Sequence, residues 1–190
     1  MTRDALSCLG LCVTIFLALI LQEFIPPLAG LEQARVILVP MIVCYAALAL
    51  PFPFMLLAVL FGGMGMDLIN LQWVDGKNGM VPEIAPGATI FYFLAVGLVC
   101  QGLRVLFLRG YWWLFSLMSG LSTSLLLLLQ FVFISYRRFD TGGIEWSAVV
   151  LWRVFTPGLI AFLLAPLFHL LAYLTGRSLL PVGSRSRVFG

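Results

Sequence analysis

Apolar runs of membrane-crossing length recur along almost the whole chain, broken only by prolines, glycines and short polar stretches. A helix needs about 20 predominantly apolar residues to cross a bilayer, within a range of roughly 17–25. Six runs qualify by position and character: residues 5–25, 36–50, 53–71, 88–108, 112–135 and 147–174. The second is short and contains Pro40, so it is expected to be tilted little, locally broken or extended backward past Arg35. Of the 190 residues, 62% are hydrophobic and 10% charged, against roughly 45–50% and about 25% in soluble domains. No soluble fold of this size hides so much apolar surface, so lipid is the solvent.

One transmembrane domain, residues 1–190, accounts for the chain. The longest polar stretches, 72–87, 136–146 and 176–190, are too short to fold on their own. The first apolar run outlasts a signal-peptide core of 7–15 residues and no small-x-small cleavage site follows promptly, so it reads as the first helix. Pro26-Pro27 ends that helix, Pro51 and Pro53 make a tight hairpin between the second and third spans, and Thr141-Gly142-Gly143 precedes the sixth. Gly76-Lys77-Asn78-Gly79, with Pro82 and Pro86, reads as the longest loop.

With the N-terminus inside, Arg3, Arg104, Arg109, Arg177, Arg185 and Arg187 collect on the inner side. Arg35, Lys77, Arg137 and Arg138 then lie outside, which favours an N-in, C-in arrangement with both termini in the cytoplasm. Tyr111, Trp112 and Trp113 are expected to anchor the inner face, and Trp73 and Trp146 the outer. The fold class is therefore an all-α integral membrane protein, a bundle of about six transmembrane helices.

Asp67 closes the run Phe61-Gly62-Gly63-Met64-Gly65-Met66-Asp67, about one turn from the outer end of the third span. A carboxylate at that depth is costly unless paired or hydrated. Arg153, about two turns into the sixth span, lies at similar depth. The pair would fix the sixth helix on the third; alternatively each side chain snorkels to the interface separately. Gly62, Gly63 and Gly65 let a neighbouring backbone come close, because helix association in lipid relies on small residues. Ser116, Gly120 and Ser124 make a similar face on the fifth helix, and Gly10, Thr14 and Ala18 on the first. Either face packs inside the bundle or docks a partner's helix, with internal packing favoured.

Cys8, Cys12, Cys44 and Cys100 lie in apolar stretches without metal-ligand spacing and read as small apolar fillers. His169 reads as hydrogen-bonded filler and Arg104 as an inner-leaflet anchor. The chain has no HExxH helix and no second intramembrane acid beside Asp67, so no catalytic or metal residue is assigned and no cofactor is expected. Secondary transport is weakly supported, because few polar groups fall near mid-bilayer.

The order of Pro40-Met41-Ile42-Val43-Cys44-Tyr45-Ala46-Ala47-Leu48, the proline hairpin and Phe61-Gly62-Gly63-Met64-Gly65-Met66-Asp67-Leu68 resembles the bacterial rod shape-determining protein MreD. Gly87-Ala88 opening a helix that closes on Arg104, and a final helix running into a short basic tail, fit that resemblance across about the whole chain. The loop 72–87 is longer and more polar than the family's compact turn, and the second helix is short. The resemblance implies a non-catalytic scaffold of the cell-elongation machinery in the inner membrane. Its partners would be MreC and associated wall-synthesis proteins besides the lipid bilayer, with no nucleic acid and no small-molecule substrate. It also implies an architecture similar to the substrate-binding subunits of energy-coupling-factor vitamin transporters. Such a subunit is the alternative reading, with polar and aromatic groups converging on an outer pocket.

Overall fold

A computed structural model describes residues 2–28, 30, 34–71, 73–76, 79–82, 86–108, 111, 113–137 and 147–174. They form six helices and one hairpin: α1 Thr2–Phe24, α2 Val39–Ala49, α3 Phe52–Ile69, β1 Trp73–Gly76, β2 Gly79–Pro82, α4 Ala88–Leu108, α5 Trp113–Arg137 and α6 Ala148–Leu174. Five of the helices are long and apolar enough to cross a membrane, and the chain is a multi-pass membrane protein. Their outward faces carry large apolar side chains such as Leu9, Phe16, Leu17, Phe91, Leu163 and Leu167, a surface that only lipid or another apolar partner covers.

The exception in length is α2, whose 11 residues rise only about 16 Å at 1.5 Å per residue. Its shortness has a structural reason. Every side chain from Val39 to Leu48 is buried, because α1, α3, α4 and α5 all pack around it. Pro40 stands in the first turn of α2, where its missing N–H has no intrahelical partner to lose. Residues 35–38 approach α2 as non-helical backbone. Within a membrane such backbone is tolerated only where protein covers it or it lines a hydrated cavity. After α2, Pro51 in extended conformation opens α3, and its carbonyl accepts the N–H groups of Phe54 and Met55 at 3.0 Å.

The remaining helices pair around this core. Nearly all of α6 lies along α5, α3 lies along α4 and α1, and α2 bridges the two groups. Phe168 of α6 reaches α2 edge-on at Tyr45, with ring centroids 5.2 Å apart, and Phe115 of α5 meets the same ring at 5.6 Å. Both Pro157 and Pro166 lie inside α6, which continues through them.

The region 72–87, expected as a loop, contains the antiparallel pair β1 and β2, in which Trp73 faces Pro82 and Gly76 faces Gly79. These two short strands correct the loop expectation for 72–87 and leave the body of the fold all-helical, as expected. The cluster Gly76-Lys77-Asn78-Gly79 set between Trp73-Val74 and Met80-Val81 is a hairpin signal in its own right. Readings that fell on Trp112, Arg109, Thr141-Gly142-Gly143, Trp146 and the basic tail from Arg177 lie outside the described residues.

Candidate functional site

The Gly-rich end of α3 is where the other helices converge. Gly62 faces α2, and a Cβ placed on it would stand 2.9 Å from Val43 Cγ2. Gly63 faces α4: its Cβ would come within 2.7 Å of the Ile90 Cα. Gly65 faces α1, where a Cβ would collide with the Leu19 side chain. Three glycines within four residues thus admit three different helices, which a row of larger side chains would hold apart.

Asp67 completes the junction. Its Oδ2 accepts the Gly87 N–H at 2.7 Å and its Oδ1 accepts the Thr89 N–H at 3.3 Å. These are orphan donors at the start of α4, the position a side-chain N-cap normally serves, and the helix dipole favours a negative charge there. Gly87 takes φ +94°, a conformation that side chains disfavour, which turns the chain into α4 under the carboxylate. The expected partnership of Asp67 with Arg153 is therefore corrected in its consequence: Asp67 joins α3 to α4, while α6 packs on α5. Arg153 lines a cleft that it shares with Asn70, Arg35 and Gln130.

A complementary arrangement closes the other end of α2. Gln101 Nε2 donates to the Leu50 carbonyl at 2.8 Å, and Arg104 Nη2 donates to the Ala49 carbonyl at 3.4 Å. Arg104 thus serves the C-terminal carbonyls of a neighbouring helix, beyond the leaflet-anchor role expected of it. Sequence reasoning passed over Gln101, although a glutamine inside an apolar span was a signal that a buried backbone group needed a donor.

On α5, Gly120 and Ser124 form the seam with α6. A Cβ at Gly120 would lie 2.9 Å from the Gly158 carbonyl, and one at Gly158 would collide with Ser124 Oγ. Ser116 is buried too, its hydroxyl without a hydrogen-bond partner. This face is consumed inside the bundle, and Gly158 is the counterpart that sequence reasoning missed. The α1 face behaves differently: a Cβ at Gly10 would meet nothing within 4 Å, and Thr14 returns its hydroxyl to the Gly10 carbonyl at 2.8 Å. Ala18, further along, is buried.

Buried polar groups elsewhere serve packing. Tyr92 donates its hydroxyl to the Ser122 carbonyl, and the Cys44 thiol donates to Ser122 Oγ at 3.5 Å. All four cysteines are free thiols. His169 Nδ1 is buried without a hydrogen-bond partner, so its reading as hydrogen-bonded filler does not hold at that atom. Among the described residues, no group of three His, Cys, Asp or Glu side chains is placed to hold a metal ion.

No protein-family model matches the chain, and no curated protein or solved structure matches it either.

Proposed function

We propose that this chain is a non-catalytic scaffold of the cell-elongation machinery in the inner membrane of a rod-shaped bacterium, similar in role to MreD. It crosses the membrane six times with both termini in the cytoplasm and binds MreC and associated wall-synthesis proteins through its lipid-facing helices. The observation that carries this reading is what the best chemical candidates do. Asp67 and Arg104 hold backbone ends of α4 and α2, and the glycines beside Asp67 receive three helices. The two segments that carry the resemblance meet where Gly62 of Phe61–Leu68 faces Val43 of Pro40–Leu48. By contrast, Gly10 on α1 stays open to a close approach from outside, the kind of surface on which a partner's helix packs in lipid.

The test is depletion of the protein in its own cells, with time-lapse imaging of cell width and of newly labelled wall. Rods that swell and round, with no rescue on vitamin-rich medium, support the scaffold reading. Retained shape with a growth defect cured by a vitamin would overturn it in favour of a transporter's substrate-binding subunit.

A further inference from the structure

The 11 residues of α2 rise about 16 Å and leave roughly 14 Å of a 30 Å hydrocarbon core uncrossed. Its C-terminal end is tied by Pro51 to the start of α3, so the missing length falls at its N-terminal end. Residues 35–38 run through it as non-helical backbone, reaching about 13 Å when extended. Backbone polar groups need partners at that depth, and lipid offers none. Among the described residues, the N–H groups of Arg35, Val36, Ile37 and Leu38 donate no backbone hydrogen bond, and the first bond of α2 runs from Ile42 to the Leu38 carbonyl. The Val39 and Met41 N–H groups therefore lack an intrahelical partner, and Leu38 supplies no side-chain cap. Val36, Ile37 and Leu38 are only partly buried, so protein does not seal this stretch.

A cleft of about 370 Å³ opens beside it, where α3 and α5 finish, with room for about ten waters at roughly 30 Å³ each. Ile37 lines the cleft together with Arg35, Asn70, Gln130 and Pro157. Gln130 lies seven residues before the end of α5 and Pro157 nine after the start of α6, about 10 and 14 Å along those helices. At about 37 and 40 Å, α5 and α6 overhang a 30 Å core by only a few ångströms at each end, so both residues lie below its boundary. Gln130 Nε2 is buried there without a hydrogen-bond partner, an unmet donor that an acyl chain in the cleft would leave unmet. Arg153, also on the wall, is already engaged within the protein, and its charge is not called on.

We infer that this cleft is a hydrated vestibule, in which water passes Asn70 and Arg35 to reach Gln130 and the backbone of residues 35–39 within the depth of the hydrocarbon core. Water meets the donors that lipid cannot, and it does so where irregular backbone is tolerated in a membrane, along a wet cavity. The buried side chains from Val39 to Leu48 close the inner end. The bundle thus carries water part of the way across the bilayer and not through it. Hydration there is independent of the scaffold reading and of orientation: either stands if the other fails.

The experiment uses the full chain in nanodiscs, whose two faces are both open to solvent. Peptide-resolved mass spectrometry follows labelling by a charged methanethiosulfonate, which reacts with the thiolate that forms where water reaches. Ile37→Cys and Gln130→Cys should label roughly tenfold or more faster than Phe155→Cys and Val132→Cys, whose native side chains are exposed on the outer surface of the bundle. Val132 is nearer the end of α5 than Gln130, so depth alone would give the opposite order. Deuterium exchange of the unsubstituted protein needs no variant to fold. Amides of residues 35–39 should exchange within seconds, while those from Ile42 to Leu50 stay protected. Slow exchange at residues 35–39 overturns the vestibule whatever the labelling shows. Exchange that is fast in detergent and slow in the nanodisc means that a lipid chain fills the cleft, and overturns it equally. Fast exchange with Gln130→Cys labelled no faster than Val132→Cys overturns the reach of water to Gln130.

Discussion

Asp67 Oδ2 stands 2.7 Å from the backbone nitrogen of Gly87, twenty residues further along the chain. The contact lets one helix cap another. The sequence before Ala88 is Pro86-Gly87, which supplies no serine, threonine, aspartate or asparagine to the start of α4. Water cannot readily fill that role near lipid, so the acceptor comes from the end of α3 instead.

Replacing Asp67 with alanine should therefore destabilise the fold by about 1–2 kcal/mol, the usual cost of losing a helix cap. An asparagine in its place would keep an acceptor oxygen but lose the charge that the dipole favours, so Asp67→Asn should fall between the wild type and Asp67→Ala. Thermal unfolding of the purified protein in detergent checks the order. An asparagine variant as unstable as the alanine variant would mean that charge, rather than capping geometry, carries the effect.

The glycines separate by what surrounds them. Gly63→Ala must push Ile90 backbone away from α3, since the added Cβ would start 2.7 Å from its Cα, and a loss of about 1–3 kcal/mol is expected for such overpacking. Gly10→Ala meets nothing and replaces the least helix-prone residue after proline, so it should be neutral or stabilising by up to ~1 kcal/mol. Side-by-side melting of the two variants gives opposite signs. The Gly10 variant also probes the open α1 face: a shape defect in cells without loss of stability would place a partner there.

Much of this was legible in the chain, and the parts that were not have a common cause. Helix existence followed from the length of the apolar runs, and close packing at Gly62, Gly63 and Gly65 followed from their size. Which helix each glycine admits did not, because Leu, Val and Ile look alike on every candidate neighbour. Asp67 was matched to Arg153 by depth, a rule that considers side-chain charges only. The partners it has in the fold are backbone N–H groups, which carry no residue label. The same blindness hid Gln101, whose acceptor is the Leu50 carbonyl. The short α2 looked marginal as a span because length rules assume contact with lipid, whereas its side chains are buried by other helices.

That burial makes the end of α2 sensitive to its donors. Gln101→Leu removes the N–H held by the Leu50 carbonyl while keeping most of the volume, and should cost about 1–3 kcal/mol, the penalty for an unmet buried acceptor. Arg104→Leu should cost less, since its contact with the Ala49 carbonyl is longer, at 3.4 Å. Denaturation in detergent would measure both, and the double variant should exceed either single one. If Gln101→Leu were as stable as the wild type, the Leu50 carbonyl would have another donor available and the trans-capping account of α2 would fail.

The seam between α5 and α6 supplies the most selective test, because one of its two obstacles can be removed while the other stays. A Cβ on Gly158 would run into Ser124 Oγ and also lie 2.7 Å from the Gly120 carbonyl. Gly158→Ala alone should therefore destabilise by about 1–3 kcal/mol, as overpacked cores do. Adding Ser124→Gly removes the hydroxyl and its Cβ but leaves the Gly120 carbonyl in place, so only part of the loss should return. The coupling should be about 0.5–2 kcal/mol in a double-mutant cycle, within the range for residues in contact. Full recovery would show that the serine was the sole obstacle and that the backbones yield easily. With no recovery, the Gly120 carbonyl would be the rigid element, and α6 would be held against α5 by backbone proximity alone.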